Sequence, residues 1–259
     1  MFESIRRVVA AVPSFVGVAG LGLAAWACGG GPGVGGEASD PLIAAAVASR
    51  GESLFNGRDL TGWNGDPEYW RVENGAIVGE TTPAKPLRQN TFIIWEGGEV
   101  GDFMLSLDFR VNGGNSGVQY RSKVVEGWSL SGYQADIDAE NRYTGMLYEE
   151  RGRGIIARRG QRVVIRPDGR FDVVGLVGDT AELRSVIKPG DWNHYEITAV
   201  GNRLVHRING RVMVEVTDEQ AEARASSGRL GLQIHTGPPM KVEFKNIVLV
   251  RLSSGSTVP

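Results

Sequence analysis

The chain has 259 residues, and its 28 Lys and Arg against 30 Asp and Glu leave a formal net charge of -2. That balance provides no broad positive field for holding a polyanion, so nucleic acid is not an expected partner. Glycine is abundant at 37 residues and cysteine occurs once, which predicts many turns between short strands and excludes an internal disulfide.

Residues 1–27 read as an export signal: Arg6 and Arg7 form a positive start, 8–24 is apolar, and Ala25-Trp26-Ala27 gives an A-x-A-like end. Cys28 follows at once, and its position resembles the lipobox cysteine of bacterial lipoproteins, although Trp26 stands where a small residue is usual. The expectation is an exported protein, periplasmic or on the outer membrane, that meets the membrane only through a lipid on Cys28. Ordinary signal-peptidase cleavage with a free thiol is one alternative. A transmembrane anchor is the other, weakened by Pro13 and the glycines of the run. Residues 28–52 form a linker in which 29–36, G-G-G-P-G-V-G-G, is too poor in apolar side chains to pack. The alanine-rich segment 41–50 can form a helical turn or two. The folded domain is expected over 53–252, with 253–259 as a C-terminal tail.

Within that domain the apolar pattern has the period of strands. Asn74-Gly75 and Asn209-Gly210 each sit between apolar runs and tolerate the positive φ of a tight hairpin turn. Along 103–110, Phe103, Leu105, Leu107 and Phe109 share one face while Met104, Ser106, Asp108 and Arg110 share the other. Further strands are predicted over 92–95, 117–121, 133–138, 162–165, 192–198, 229–235 and 241–252. In the last, apolar parity shifts around Asn246, which predicts a bulge. Long helices are absent, and 218–225 reads as a short one. Many strands without helical crossovers argue for an all-β protein, a two-sheet sandwich or jelly roll.

The segment 132–160 carries the densest chemistry. As a strand, 133–138 puts Gln134, Asp136 and Asp138 on one side and Tyr133, Ala135 and Ile137 on the other. Glu149, Glu150, Arg151, Arg153, Arg158 and Arg159 follow in what reads as a loop hinged on Gly145, Gly152, Gly154 and Gly160. Glu149 and Glu150 point opposite ways in an extended segment, so at most one faces a ligand. His235 shares the polar face of its strand with Gln233. His206, beside a hairpin, reads as structural and His194 as a solvated strand residue. Tyr120, Trp128, Tyr133 and Tyr148 offer faces for a sugar ring, while Trp63, Trp70 and Trp192 are assigned to the core.

An ordered set of motifs runs through the domain: 54–63, L-F-N-G-R-D-L-T-G-W; 115–121, N-S-G-V-Q-Y-R; Asp191-Trp192-Asn193; 231–235, G-L-Q-I-H; and Phe244-Lys245-Asn246-Ile247. Together they resemble the 3-keto-disaccharide hydrolase domain family over roughly residues 53–252. The resemblance implies a concanavalin A-like jelly roll of two antiparallel sheets, exported by bacteria and acting on glycosides oxidised at C3. Where that family often shows Glu-x-Gln after Gly-Tyr, this chain has Gln134-x-Asp136.

A ketone at C3 acidifies the C2 proton, and the enolate formed by its loss can expel the C1 substituent. Water adding back gives net hydrolysis. Such a site needs a base near C2, positive charge or donors near O3, and an acid near the leaving oxygen. Asp136, Glu149, Arg151 and His235 are the expected catalytic residues. Gln119, Tyr120, Arg121, Gln134, Asp138 and Gln233 are the expected substrate contacts. A divalent metal held by carboxylate oxygens and a histidine can replace the arginine, although no compact ligand motif marks one. Direct hydrolysis by two carboxylates is the alternative mechanism. The competing functional classes are a non-catalytic carbohydrate-binding jelly-roll module, marked by an aromatic groove without converging carboxylates, and an envelope interaction domain, marked by an exposed apolar patch.

Overall fold

The computed structural model describes residues 51–252, so the expected export signal, Cys28, the expected tether and helical turn at 29–50 and the expected C-terminal tail lie outside the described residues. In chain order the strands are β1 (Glu52–Ser53), β2 (Trp63–Asn64), β3 (Trp70–Glu73), β4 (Ala76–Thr81), β5 (Thr91–Trp95) and β6 (Phe103–Asn112). They continue with β7 (Asn115–Glu126), β8 (Ser129–Asp138), β9 (Leu147–Glu150), β10 (Gly154–Ala157), β11 (Gln161–Ile165) and β12 (Phe171–Leu176). After the short helix α1 (Thr180–Ser185) come β13 (Asn193–Val200), β14 (Arg203–Ile208), β15 (Arg211–Asp218), β16 (Arg229–Ile234) and β17 (Met240–Arg251).

Ten strands form one sheet in the order β12-β11-β15-β14-β13-β6-β17-β4-β3, with β1 added beside β17. Seven form the other, ordered β10-β9-β8-β7-β16-β5-β2. The result is the expected jelly-roll sandwich, antiparallel throughout except for β11 against β15. That pair is parallel because three strands and α1 intervene in the chain before β15 arrives beside β11. One apolar cluster fills the space between the sheets, drawing Phe103, Leu105, Leu107 and Phe109 from β6 and Tyr133, Ala135 and Ile137 from β8.

Both Asn-Gly turns close as expected, with Asn74 at φ 51 and Gly75 at φ 76, and Asn209 at φ 49 and Gly210 at φ 82. The bulge in β17 falls between Lys245 and Val248, with Asn246 at φ 52. Three expectations are corrected. Residues 218–225 finish β15 and turn, and the helix lies instead at 180–185, where Asp179 caps it by accepting from the Ala181 and Glu182 amides. Trp192 is half-buried outside the main cluster, with Lys245 Nζ 3.9 Å and the Arg110 guanidinium 4.9 Å from its ring centre. The presumed loop 149–159 is largely the β9–β10 hairpin. Among the described residues, no helix is long and apolar enough to cross a membrane.

Candidate functional site

Because Tyr133, Ala135 and Ile137 pack inward, the alternation of β8 turns Gln134 and Asp136 to the outer face of the seven-stranded sheet. Antiparallel pairing carries that face across the sheet. Tyr148 lies opposite Gln134, and Glu150, two residues on, shares its side. On the other flank Gly117 lies opposite Asp136, and Asn115 is two residues away on the same side. A side chain at Gly117 would put its Cβ 2.5 Å from Gln134 Cγ, so the glycine makes room for the glutamine. From β16, Gln233 points outward, and His235 follows it with the same parity.

These side chains meet around a cavity of about 310 Å³. Asn115, Gln134, Asp136, Tyr148, Glu150 and His235 supply its polar lining, with Asn90, Tyr143 and Ile155 completing the wall. Gln134 Nε2 donates to Asp136 Oδ1 at 2.8 Å and to Gln233 Oε1 at 3.3 Å. Gln119 Nε2 donates to Gln134 Oε1 at 2.9 Å, which turns the Gln134 amide nitrogen towards Asp136. Gln233 Nε2 in turn donates to Glu150 Oε2 at 3.4 Å, and Asn90 Nδ2 donates to Glu150 Oε1 at 3.3 Å.

The Asp136 carboxyl is raised to about 8, chiefly by burial and with help from the negative charges of Asp138 and Glu150, against the opposing hydrogen bonds from Gln134 and Asn115. Burial, with the negative charges of Glu150 and Asp136, also raises the Tyr148 phenol, which therefore stays protonated and able to donate. His235 Nδ1 lies 2.5 Å from the Thr236 carbonyl. A carbonyl accepts only, so Nδ1 carries the proton and Nε2 is the nitrogen left for exchange.

The structure thus brings together Asp136, His235 and Gln134 of the expected set, with Gln233 just beneath, and separates the others. Glu149 pairs in register with Tyr133, so it faces inward, where its carboxylate accepts from Arg153 Nε at 2.5 Å. Arg153 also donates to Asp218 Oδ2 at 2.8 Å, and Tyr133 donates to the same oxygen at 2.5 Å. Glu149 is therefore part of a buried ion network, and Glu150 is the carboxylate in the cavity. Arg151 sits exposed at the tip of the β9–β10 turn with φ 54, and no Arg or Lys is among the residues lining the cavity. Arg121 is an internal strut: its guanidinium donates to Gly101 O at 2.9 Å, Gly201 O at 2.7 Å and Asp102 Oδ1 at 2.8 Å. Tyr120 is buried in the core with its hydroxyl 3.0 Å from His206 Nε2, and Gln119 is buried behind Gln134. Asp138 ties down the loop after β8 by accepting from the amides of Arg142, Tyr143 and Thr144.

Burial without a charged partner drives the His206 imidazole down to about 3, in keeping with a structural role. His194 is instead raised to about 9 by hydrogen bonds to Asp108 and Glu196 on the outer face of the large sheet. Six cavity residues lay outside the expected catalytic and substrate-contact set: Asn90, Asn115, Tyr143, Ile155, Tyr148, which was named only as a face for a sugar ring, and Glu150, the unchosen member of the Glu149–Glu150 pair. Asn115 has a readable signal, since it shares strand parity with Gly117 and Gln119; Asn90 arrives from a loop and has none. Among the described residues, no group of three or more His, Cys, Asp or Glu side chains is placed to hold a metal ion.

Comparison with known proteins adds a family. The model of the 3-keto-alpha-glucoside-1,2-lyase-like domain matches residues 51–250, and so includes every strand that builds the cavity. The chain belongs to this family. Among solved structures, a provisionally assigned glycosyl hydrolase of Parabacteroides distasonis ATCC 8503 is 22% identical, with 79% of this chain and 100% of that one covered and a TM-score of 0.53. A second from the same organism is 20% identical over 84% and 99% of the two chains, at a TM-score of 0.52. The exoplasmic/lumenal domain of VIP36, in a Ca2+/Man3GlcNAc-bound form, is 12% identical over 81% and 93%, at a TM-score of 0.50. These likenesses establish the jelly roll alone. A search of the curated proteins finds no match. With the family, the domain is a jelly roll of the glycoside hydrolase-like or carbohydrate-binding kind.

Proposed function

We propose that the protein cleaves 3-keto-glucosides by removing the C2 proton, with Asp136 as the base. The observation that carries this reading is a buried carboxyl raised to about 8 and aimed by an amide into a cavity shared with a second carboxylate, a phenol and an imidazole. Such a carboxylate is a far stronger base than an ordinary one, and its proton affinity is matched to near-neutral operation. The ketone is essential, because it alone makes the C2 proton acidic enough for a side-chain base.

As the C2 proton passes to Asp136, the electron pair of the C2–H bond forms C2=C3 and charge develops on O3; as the C3 carbonyl re-forms, that pair moves to C1=C2 and breaks the bond to the leaving oxygen. With no Arg or Lys in the lining, neutral donors meet the charge on O3, and the Tyr148 hydroxyl and Asn115 amide are the ones in reach. His235, in its imidazolium form with Nδ1–H kept on the Thr236 carbonyl, delivers its Nε2 proton to the leaving oxygen. Glu150 holds Asn90 and Gln233 in place and keeps Asp136 basic through its charge. Water adding back to the unsaturated ketone completes net hydrolysis. Membership of the 3-keto-alpha-glucoside-1,2-lyase-like family supports this reading.

The same reading places the enzyme outside the cytoplasm, tethered through Cys28, as the character of residues 1–36 suggests. The test of the activity compares a 3-keto-glucoside with its unoxidised parent at equal concentration: only the ketone releases its aglycone. Release from both at similar rates would favour direct hydrolysis, and binding without release from either would favour a carbohydrate-binding module.

A further inference from the structure

Three polar side chains that the reaction does not touch, Ser122, Gln119 and Gln233, are buried outside the lining of the cavity. Buried polar groups need partners, and these find theirs in one continuous chain. Ser122 Oγ donates to Gln119 Oε1 at 2.5 Å, and Gln119 Nε2 donates to Gln134 Oε1 at 2.9 Å. Gln134 Nε2 donates to Asp136 Oδ1 at 2.8 Å and to Gln233 Oε1 at 3.3 Å, and Gln233 Nε2 donates to Glu150 Oε2 at 3.4 Å. Resting on the reading above of Asp136 as the base, we propose that Ser122 and Gln119 are positioning residues: they hold the Gln134 amide with its nitrogen on Asp136 and so keep Asp136 in the form that accepts the C2 proton.

A side-chain amide has nearly the same shape when its oxygen and nitrogen exchange places, so its partners decide which way it lies. The Glu150 carboxylate only accepts, which draws the nitrogen of Gln233 and leaves the Gln233 oxygen to Gln134. That oxygen draws the nitrogen of Gln134, already called for by Asp136, and leaves the Gln134 oxygen in need of a donor. Gln119 supplies it, and the Gln119 oxygen needs a donor in turn. The end of the chain must therefore be a donor, and it is the Ser122 hydroxyl. With Gln134 turned over, its oxygen would stand against Asp136 Oδ1, and only a proton kept on Asp136 would reconcile the two. A carboxyl held that way cannot serve as a base.

The fold goes to some length to place that hydroxyl. Tyr120 pairs with Tyr133 and Lys123 with Ser131, so Arg121 and Ser122 together oppose Gly132 alone. This is a β-bulge: Arg121, at φ 46, turns inward, and Ser122 regains the outer face beside Gln119. Bare glycines leave room for it on both sides. A Cβ at Gly132 would lie 2.5 Å from Ser122 Oγ, and one at Gly228 would lie 2.6 Å from the Ser122 amide nitrogen. The hydroxyl has one proton and two acceptors, and Gln119 Oε1 at 2.5 Å is nearer than Tyr120 O at 3.1 Å.

The experiment follows the Asp136 carboxyl of the full chain by 13C NMR through a pH titration, its signal assigned by its absence from Asp136→Asn, together with the pH profile of kcat/KM on a 3-keto-glucoside. Gln119→Met keeps the length of the side chain and removes both polar ends; Ser122→Ala removes a single oxygen and adds no bulk. Neither alters the titratable groups around Asp136, which are Asp138 on its own strand, Tyr143 in the loop that follows, Tyr148 and Glu150 from β9, His235 beyond β16 and Tyr195 from β13. In Gln119→Met the Asp136 midpoint should rise by about one pH unit or more, as for loss of a hydrogen bond to a charged group, and the rising limb of kcat/KM should move with it. Ser122→Ala should move both in the same direction by less. A midpoint that stays or falls in both variants, whatever they cost in stability, would overturn the positioning role and leave catalysis by Asp136 standing. A midpoint that rises while wild-type protein releases no aglycone would uphold the positioning role and remove the catalytic reading.

Discussion

Asp136→Asn should make the protein more stable while abolishing its turnover, and the gain should depend on pH. A carboxyl raised by folding from its ordinary value near 3.9 to about 8 binds a proton more tightly in the native state than in the unfolded chain. Between those two values the native state holds the extra proton, so stability falls as pH rises, and below both the group contributes no difference. Each pH unit is worth 1.36 kcal/mol, which gives a ceiling of about 6 kcal/mol at pH 9 and less than about 2 at pH 5. Asparagine has nearly the same shape and keeps a carbonyl oxygen to accept from Gln134 Nε2, so it removes the titration with little change in packing. The assay is urea denaturation of wild type and variant at pH 5 and pH 9. A stabilisation of several kcal/mol at pH 9 that shrinks towards pH 5 is the expected result. A variant less stable than the wild type by the same amount at both pH values would show that Asp136 is an ordinary structural carboxylate.

The same carboxyl should set the pH dependence of catalysis, with kcat/KM on a 3-keto-glucoside rising through an inflection near 8. Glu150→Gln removes a charge that opposes ionisation of Asp136, so the rising limb should move to lower pH; Gln134→Leu removes a donor that favours the carboxylate and should move it to higher pH. Glu149→Gln should retain turnover and cost about 1–3 kcal/mol of stability, because Arg153 loses one carboxylate but keeps Asp218; a loss of kcat without loss of stability would return Glu149 to the chemistry. Metabolic labelling with a palmitate analogue should mark the wild type and spare Cys28→Ser, and a variant that stays labelled and membrane-associated would exclude the lipid tether.

Strand parity carried much of the fold and the centre of the site. Apolar alternation over 103–110 and 133–138 set the inward faces, the two Asn-Gly pairs set their hairpins, and the parity shift around Asn246 marked a real bulge. The same alternation put Asp136 and His235 on one outward face. It did not separate Glu149 from Glu150, because that choice depends on the pairing of β9 with β8, and a slip of one residue exchanges the two faces. Arg121 misled for a related reason: at φ 46 it lies where the β7–β8 register shifts, and four oxygens of distant segments draw its side chain inward. Tyr120 and Tyr133 resemble sugar platforms in sequence, yet their hydroxyls find partners inside the sandwich in His206 and Asp218. Asn90 belongs to the site only through contacts with Thr236 and Glu150, 146 and 60 residues away, which no local pattern records.

Removal of the C2 proton by Asp136 is tested most directly by single-turnover release of the aglycone from a 3-keto-glucoside carrying deuterium at C2. Slower release than from the protiated substrate by wild-type protein, and no release by Asp136→Asn, is the predicted result. Equal rates for the two isotopic substrates, with the C2 deuterium retained in the sugar product, would contradict it.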